Sequence, residues 1–172
     1  MRAANESAEQ EVTLPAFCVD KYEFPGTPEI LPERQIAFQQ ARDKCAAAGK
    51  RLCTEQEWEK ACKGGARNRR FPYGHQYIEN ACATRTENGK DRGYALTGTW
   101  HGCKTAEDVF DLAGNLREWT STPFSQGSSF MIVKGGDGYS PGRESRCAAR
   151  ASVAATAAEP RTGFRCCLTI GP

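Results

Sequence analysis

Two short helices stand out in the pattern of apolar and polar positions along the chain. Apolar side chains recur every three or four residues over Phe38–Ala48, and Gly49 follows as a stop, so this segment is predicted to be helical. Thr54-Glu55-Gln56-Glu57 has the form of a capping box, in which a hydroxyl and a carboxylate satisfy the first free amides of a helix. A second helix is therefore predicted to begin there and to run through Trp58 to Gly64.

Short strands account for most of the remaining pattern. Ala16–Phe24 has aromatic and β-branched residues and is followed by Pro25-Gly26, which is typical of a strand ending in a turn. Further strands are predicted at Arg117–Ser121, Phe130–Lys134, Arg146–Ala151 and Gly163–Leu168. These elements predict an α+β fold with long loops.

Two segments lack any periodicity. Residues 1–15 are polar, so we predict a disordered N-terminal tail followed by one domain over residues 16–172. The stretch from Gly64 to Val109 is too long for an ordinary connection, and something must hold it in place if it belongs to a compact domain.

The composition indicates a modest core stapled by disulfides. Mean hydropathy is −0.62, and 17 glycines and 9 prolines favour irregular backbone over long helices. The nine cysteines are scattered, and with only two histidines they form no zinc-binding pattern. Scattered cysteines are typical of an oxidising compartment, so the protein is predicted to be extracytoplasmic, whether periplasmic, secreted or on the cell surface. The odd number leaves one thiol unpaired within the chain.

The charge pattern argues against two classes of partner. A net charge of +2 is too balanced for a nucleic-acid-binding protein. No apolar run approaches the ~18 residues that a membrane helix needs, so no membrane insertion is expected. Met1–Val12 is polar throughout and has no signal-peptide core. The oligomeric state stays open.

Six motifs in a fixed order resemble one known family. They are Ala41–Gly65 (ARDKCAAAGKRLCTEQEWEKACKGG), Phe71–Gly74 (FPYG), Asp111–Thr120 (DLAGNLREWT), Lys134–Gly136 (KGG), Arg146–Arg150 (RCAAR) and Gly163–Cys166 (GFRC). The set resembles the formylglycine-generating enzyme, or sulfatase-modifying-factor, family over about residues 17–168. The resemblance implies a C-type-lectin-like fold, with two helices, a small twisted antiparallel sheet and long ordered loops.

The resemblance breaks down at the family's catalytic centre. Catalytic members carry two cysteines after the Gly-Gly pair, and these thiolates bind copper(I), which soft sulfur ligands suit. Here Asp137–Ser145 (DGYSPGRES) contains no cysteine, and Arg117 stands where the family has a tryptophan. No bound copper and no catalytic residue are therefore expected. The residues predicted to bind a ligand on this face are Asp137, Tyr139, Arg143 and Arg117.

The resemblance also implies structural calcium. Oxygen ligands from an irregular loop are what this hard cation prefers. The first predicted site comprises the backbone carbonyls of Asp111, Gly114 and Leu116 and the side chain of Glu118. A second site would comprise Asn80, Ala81, Asp91 and Gly93, although the loop between Asn80 and Asp91 differs in length from the family pattern.

Four disulfides are predicted. The resemblance implies Cys45–Cys166 and Cys62–Cys147. Cys82–Cys103 is our inference from geometry, because it would close the aperiodic loop. For Cys18 we favour Cys53, which replaces a proline usual in the family, and Cys18–Cys167 is the alternative if the first and last strands are neighbours.

These observations favour a non-catalytic extracytoplasmic binding or structural domain. It would recognise a protein or a small polar ligand through loops at Ser121–Ser129 and Asp137–Ser145, whose Gly, Ser, Tyr and Arg residues suit binding loops. A sulfatase-activating or related metal-dependent oxidoreductase that uses other residues is one alternative, which bound copper or iron would favour. A variable binding protein of a diversity-generating retroelement is the other, since some of those share this fold.

Overall fold

The computed structural model describes residues 11–171 and contains two short helices and seven short strands. The helices are α1 (Phe38–Ala47) and α2 (Glu55–Lys63), and single 3-10 turns lie at Gly65–Arg67 and Gly142–Glu144. The strands are β1 (Phe17–Val19), β2 (Arg51–Leu52), β3 (Arg117–Pro123), β4 (Phe130–Lys134), β5 (Arg150–Ala154), β6 (Thr162–Phe164) and β7 (Cys166–Thr169). The predicted tail falls largely on residues 1–10, outside the described residues, and residues 11–15 lie in no helix or strand.

The strands form two sheets. One has three antiparallel strands in the order β1-β7-β2, and the other has four in the order β5-β4-β3-β6. In the second sheet β3 pairs with β6 in parallel, so the expectation of a single antiparallel sheet is wrong. β6 and β7 follow each other in the chain but join different sheets.

Both helices confirm the local signals in the sequence. Thr54 Oγ1 accepts a hydrogen bond from Glu57 N at 3.2 Å, and Glu57 Oε2 accepts one from Thr54 N at 2.9 Å. Gly64 then ends α2 with a φ of 69°, a left-handed conformation that glycine adopts without strain. Helix α1 begins at Phe38 as predicted and ends one residue early.

Four of the five predicted strands differ from the structure, and one of them, predicted at Arg117–Ser121, extends further to Pro123. The first stops at Val19 because Asp20–Phe24 turns away from β7. The strand predicted at Arg146–Ala151 begins only at Arg150, because Ala149 N donates to Arg146 O in a turn. The strand predicted over Gly163–Leu168 is split at Arg165, whose side chain is buried between the two sheets.

The core divides into clusters that the helices and sheets share. One cluster packs α1, through Ala41 and Cys45, against Trp119 and Phe164 of the four-stranded sheet. A second surrounds Trp58 of α2 and includes Cys62, Leu112 and Cys167. Trp58 and Cys62 lie on one face of α2 and both are fully buried, as their four-residue spacing requires.

The structure contains four disulfides, and three of them are the predicted pairs. They are Cys45–Cys166, Cys53–Cys167, Cys62–Cys147 and Cys82–Cys103. Both predictions for Cys18, to Cys53 and to Cys167, are wrong, and Cys18 is an exposed free thiol. The first and last strands are indeed neighbours, but Cys18 lies opposite Leu168 in their register. Because side chains alternate along a strand, Cys18 points to the face away from Cys167.

The long loop between α2 and β3 is ordered without helices or strands of its own beyond one 3-10 turn. Cys82–Cys103 closes its middle. Its second half is bonded to the segment after β4, since Arg85 N donates to Ser140 O and Arg92 N to Gly138 O, each at 2.9 Å. The loop is thereby placed beside the segment that was predicted to bind ligand.

Candidate binding face

Three segments far apart in the chain meet on one side of the domain, and we call residues 85–94, 137–145 and 159–161 the loop face. Gly138 is pressed so closely against Gly93 that a Cβ atom there would lie 1.5 Å from the Gly93 carbonyl oxygen. Only glycine permits this approach. The predicted segment 121–129 forms the end of β3 and the β3–β4 turn, where Phe124 N donates to Phe130 O.

Two of the predicted binding residues, Asp137 and Arg117, pair with each other. Arg117 Nε lies 3.2 Å from Asp137 Oδ2, and Arg117 Nη2 donates to Glu159 Oε2 at 3.0 Å. The other Asp137 oxygen accepts from Tyr139 N and Ser140 Oγ at 2.9 and 3.0 Å, and the side chain is almost fully buried. Asp137 therefore shapes the turn and joins it to Arg117, and neither of its oxygens is left exposed for a ligand.

The other two predicted residues lie at the surface. The Tyr139 ring is covered on one side by the Arg161 guanidinium, 4.0 Å from the ring centroid. Arg143 is exposed, forms an ion pair with Glu87 and lies 4.7 Å above the Tyr77 ring.

A small cleft of about 170 Å³ lies under the segment 140–145. Its lining includes Arg117, Arg150, Ser145 and the backbone of Gly135-Gly136. Arg150 is already paired with Glu55 at 3.0 Å. A larger groove of about 540 Å³ lies elsewhere, between residues 14–19 and α2, and shares no lining residue with the loop face.

Beneath the loop face, three buried carboxyl groups surround a single buried guanidinium. Glu118 accepts two hydrogen bonds from Arg165, each at 2.7 Å, and one from Trp58 Nε1 at 2.8 Å. Glu23 accepts from Asn115 Nδ2 and from Leu116 N. Asp111 accepts from Gly98 N at 2.7 Å. If all three carboxyls were ionised, Arg165 alone would leave this region with excess negative charge.

The pKa values of two of these carboxyls reflect that excess. Burial raises the pKa of Glu23 well above its ordinary value, and the charges of Asp111 and Glu118 raise it further. Burial also raises the pKa of Asp111 to about 6, against the lowering effects of its hydrogen bond from Gly98 and of Arg165. A bound cation would relieve this cost of burying negative charge.

The first predicted calcium set fits a cation in its chemistry. All four residues lie on the continuous buried segment that leads into β3, and Asp111 and Gly114 have left-handed backbone. The Glu118 carboxylate can accept about four hydrogen bonds. Arg165 and Trp58 donate three of them, which leaves one acceptor position on Oε1 for a metal. Within residues 11–171, no group of three His, Cys, Asp or Glu side chains could hold a metal ion. The predicted site does not need such a group, because three of its four ligands are backbone carbonyls.

The second predicted set is built around arginines instead. The Asp91 carboxylate pairs with Arg85 at 2.7 Å, and Asn80 Oδ1 accepts from Arg92. Both side-chain oxygens that a cation would need are therefore in contact with guanidinium groups. Glu118 of the first set is likewise in contact with a guanidinium, so the second site, like the first, stays a prediction.

Sequence reasoning missed the buried partner at the centre of the domain, Arg165. It lies in the GFRC motif and is fully buried, donating to Glu118 and to the carbonyl of Phe110. The sequence signal was an arginine between two strand-forming segments. It could not reveal burial, because the compensating carboxylate lies 47 positions away.

The fold and the site together define a class of protein. The domain has a C-type-lectin-like fold, and it superposes on the structure of PvdO from Pseudomonas aeruginosa with a TM-score of 0.69 at 20% identity, over 84% of this chain and 64% of that one. Residues 25–170 match the family model of the sulfatase-modifying factor enzyme 1-like domain. The chain belongs to that family, as the motifs predicted.

Curated relatives include both inactive and active proteins. The chain is 29% identical over 162 residues to the inactive C-alpha-formylglycine-generating enzyme 2 of Bos taurus, covering 86% of this chain and 51% of the relative. It is 31% identical over 163 residues to the formylglycine-generating enzyme of Bos taurus, covering 78% of this chain and 43% of that enzyme. The chain thus spans about half the length of the curated relatives it matches.

Proposed function

We propose that this chain is a non-catalytic binding domain of the formylglycine-generating-enzyme type that works outside the cytoplasm and recognises its partner through the loop face. The observation that carries the proposal is the state of the cysteines. Eight of the nine form disulfides, and the ninth, Cys18, lies on β1 of the three-stranded sheet, whereas the segment Asp137–Ser145 follows β4 of the four-stranded sheet.

Two free thiolates are what the family's copper chemistry requires, and this arrangement has no pair to supply them. The corresponding segment, Asp137–Ser145, contains no cysteine, and its first residue Asp137 pairs with Arg117. The similarity to a relative described as inactive supports the same interpretation. Four disulfides support a location in an oxidising compartment. Within residues 11–171, no helix combines the length and apolar character needed to cross a bilayer.

The activity test uses a cysteine-containing sulfatase peptide and protein loaded with copper under oxygen. We expect no conversion of the peptide cysteine to formylglycine, as measured by mass spectrometry. An active formylglycine-generating enzyme, treated in the same way, is the positive control. Product formation above the protein-free background would overturn the proposal and favour an oxidoreductase that uses other residues.

We propose further that the first predicted set binds a structural calcium ion. Glu118 would supply one carboxylate oxygen, and the backbone carbonyls of Asp111, Gly114 and Leu116 would supply the rest. The ion would add positive charge beside buried carboxyls that Arg165 does not balance. Calcium would then stabilise the folded state alone, since the unfolded chain has no preformed site.

Removal of calcium should lower the thermal stability of the domain. Binding to the native state alone contributes about 2.7 kcal/mol at a hundredfold excess over Kd, which for a domain of this size corresponds to about 5–10 °C in Tm. The measurement compares Tm in calcium and in EGTA, with EGTA plus magnesium as the control, which should not restore stability. An unchanged Tm in EGTA, with no calcium detected in the purified protein, would contradict the site.

A further inference from the structure

Arg161 on the loop face and Arg34, which contacts that face through Pro160 and Tyr94, are held by tyrosine rings rather than by carboxylates. The guanidinium of Arg34 lies 3.9 Å from the ring centroid of Tyr94, and that of Arg161 lies 4.0 Å from the ring centroid of Tyr139. Arg34 also donates to the Tyr94 hydroxyl. We call these four residues the arginine–tyrosine patch.

The two stacks form one continuous surface. Arg34 Nη1 donates to the carbonyl of Pro160 at 3.1 Å, which joins the first stack to the residue before Arg161. Tyr94 follows Gly93, and the Tyr139 hydroxyl lies 3.7 Å from the Cβ position of Gly93. The patch therefore closes into a ring of contacts among residues from four separate parts of the chain.

Both guanidinium groups carry uncompensated charge. Three arginines of this region are neutralised, since Arg117 pairs with Asp137 and Glu159, Arg85 with Asp91, and Arg143 with Glu87. Arg92 instead donates to Asn80 Oδ1 and lies 4.8 Å from the ring centroid of Trp100. Within residues 11–171, no carboxylate oxygen lies at ion-pair distance from Arg34 or Arg161. Stacking fixes the plane of a guanidinium while its edge N–H groups stay able to donate to a carboxylate in bidentate fashion.

Exposed apolar side chains lie next to the patch in the chain. Leu31 and Leu96 are 60% and 43% exposed. Leu31 follows Ile30 and Leu96 precedes Thr97, and Thr97 N donates a hydrogen bond to Ile30 O at 2.9 Å. Tyrosine, arginine and leucine grouped in this way resemble the core of a protein interface, which is rich in aromatic residues and arginine.

We propose that the arginine–tyrosine patch binds an acidic segment of a protein partner, with carboxylates on Arg34 and Arg161 and an apolar side chain against Leu31 and Leu96. This inference rests on the proposed function and specifies the partner of the same face. A protein segment fits better than an acidic polysaccharide. A sugar needs an open aromatic face for stacking, and one face of each tyrosine ring is covered by arginine, whereas the exposed leucines suit an apolar side chain.

The test selects peptides without assuming a sequence. A phage library of random dodecapeptides is selected on the full chain, and the most enriched peptide is synthesised with a fluorescent label. Binding is measured by anisotropy to the native protein, to Arg34→Glu/Arg161→Glu, and to the control Arg42→Glu/Arg67→Glu. The control changes the net charge equally at exposed positions on α1 and the 3-10 turn after α2. Unchanged Tm values establish that both variants fold.

We expect the enriched peptides to contain Asp or Glu together with apolar residues. The Kd should rise at least tenfold in Arg34→Glu/Arg161→Glu and less than twofold in the control. Three results would each overturn the inference: no enrichment, enriched peptides without acidic residues, or equal losses in both variants. Binding of heparin at a site lost only in Arg34→Glu/Arg161→Glu, without any selected acidic peptide, would also overturn it and assign the patch to sulfated polysaccharide. The proposed function is contradicted by a different result, the formation of formylglycine in the activity test.

Discussion

Replacing Arg165 with methionine is expected to lower the free energy of unfolding by about 3–5 kcal/mol, the usual cost of removing one partner of a buried ion pair. The Arg165 side chain is 1% exposed and its partner Glu118 is fully buried. Without the guanidinium, Glu118 would lose its ion pair, and Glu23 and Asp111 would lose a nearby positive charge. The carbonyls of Asp20 and Phe110 would also lose hydrogen bonds from Arg165. Urea denaturation of the two proteins in the same buffer measures the difference.

Arg51→Met is the matched control for this prediction. Arg51 also binds a carboxylate in bidentate fashion, Glu57 at 2.7 and 2.6 Å, but its own side chain is 37% exposed. A pair that water can reach contributes about 0–1 kcal/mol. If Arg165→Met destabilises the domain no more than Arg51→Met does, then the buried pair is not the central electrostatic contact we take it to be.

Removing both adjacent disulfides of β7 is expected to destabilise the domain by about the sum of the two single removals. Cys166 and Cys167 point to opposite faces of the strand, so Cys45–Cys166 lies in one core cluster and Cys53–Cys167 in the other. While either bond remains, losing the other opens a ring of only about 10 residues, worth about 3 kcal/mol in the chain-entropy model. Losing both opens a ring bounded by Cys62–Cys147, for a total of about 6 kcal/mol.

The experiment uses paired cysteine-to-alanine variants and urea denaturation. The quadruple variant is expected to lose about 6 kcal/mol, which is enough to unfold a domain of ordinary stability. Alanine at Cys82 and Cys103 is the comparison, since that bond closes a separate loop of 21 residues worth about 3 kcal/mol. If removing both β7 disulfides destabilises the domain no more than removing one, then the two bonds do not each stabilise the domain as predicted.

The predictions from sequence succeeded where the determining contacts lie close together in the chain. The capping box of α2 involves Thr54 and Glu57, three residues apart, and it forms as predicted. The periodicity of α1 likewise reports a single helix face. The ordered motifs identified the family because each keeps its residue types and spacing in the sequence itself.

The candidate site was predicted only in part, for the same reason. The sequence indicated that Asp137–Ser145 stands where the family has its catalytic cysteines, and it singled out Asp137 and Arg117 as binding residues. It did not show that these two side chains pair with each other, 20 positions apart. Nor did it suggest Arg34 and Arg161, which come together only because Arg34 donates to the Pro160 carbonyl, 126 positions away.

The sequence by itself determined the family, both helices, the long aperiodic loop and the need for disulfides, since these follow from local spacing and composition. Only the tertiary structure decided the partner of Cys167, the freedom of Cys18 and the division of the last predicted strand at Arg165. The register of β1 on β7 sets which face each cysteine occupies. The position of Glu118 on β3 sets where a buried arginine can be neutralised. Both depend on strand pairing between distant segments, which the residues of one segment alone do not encode.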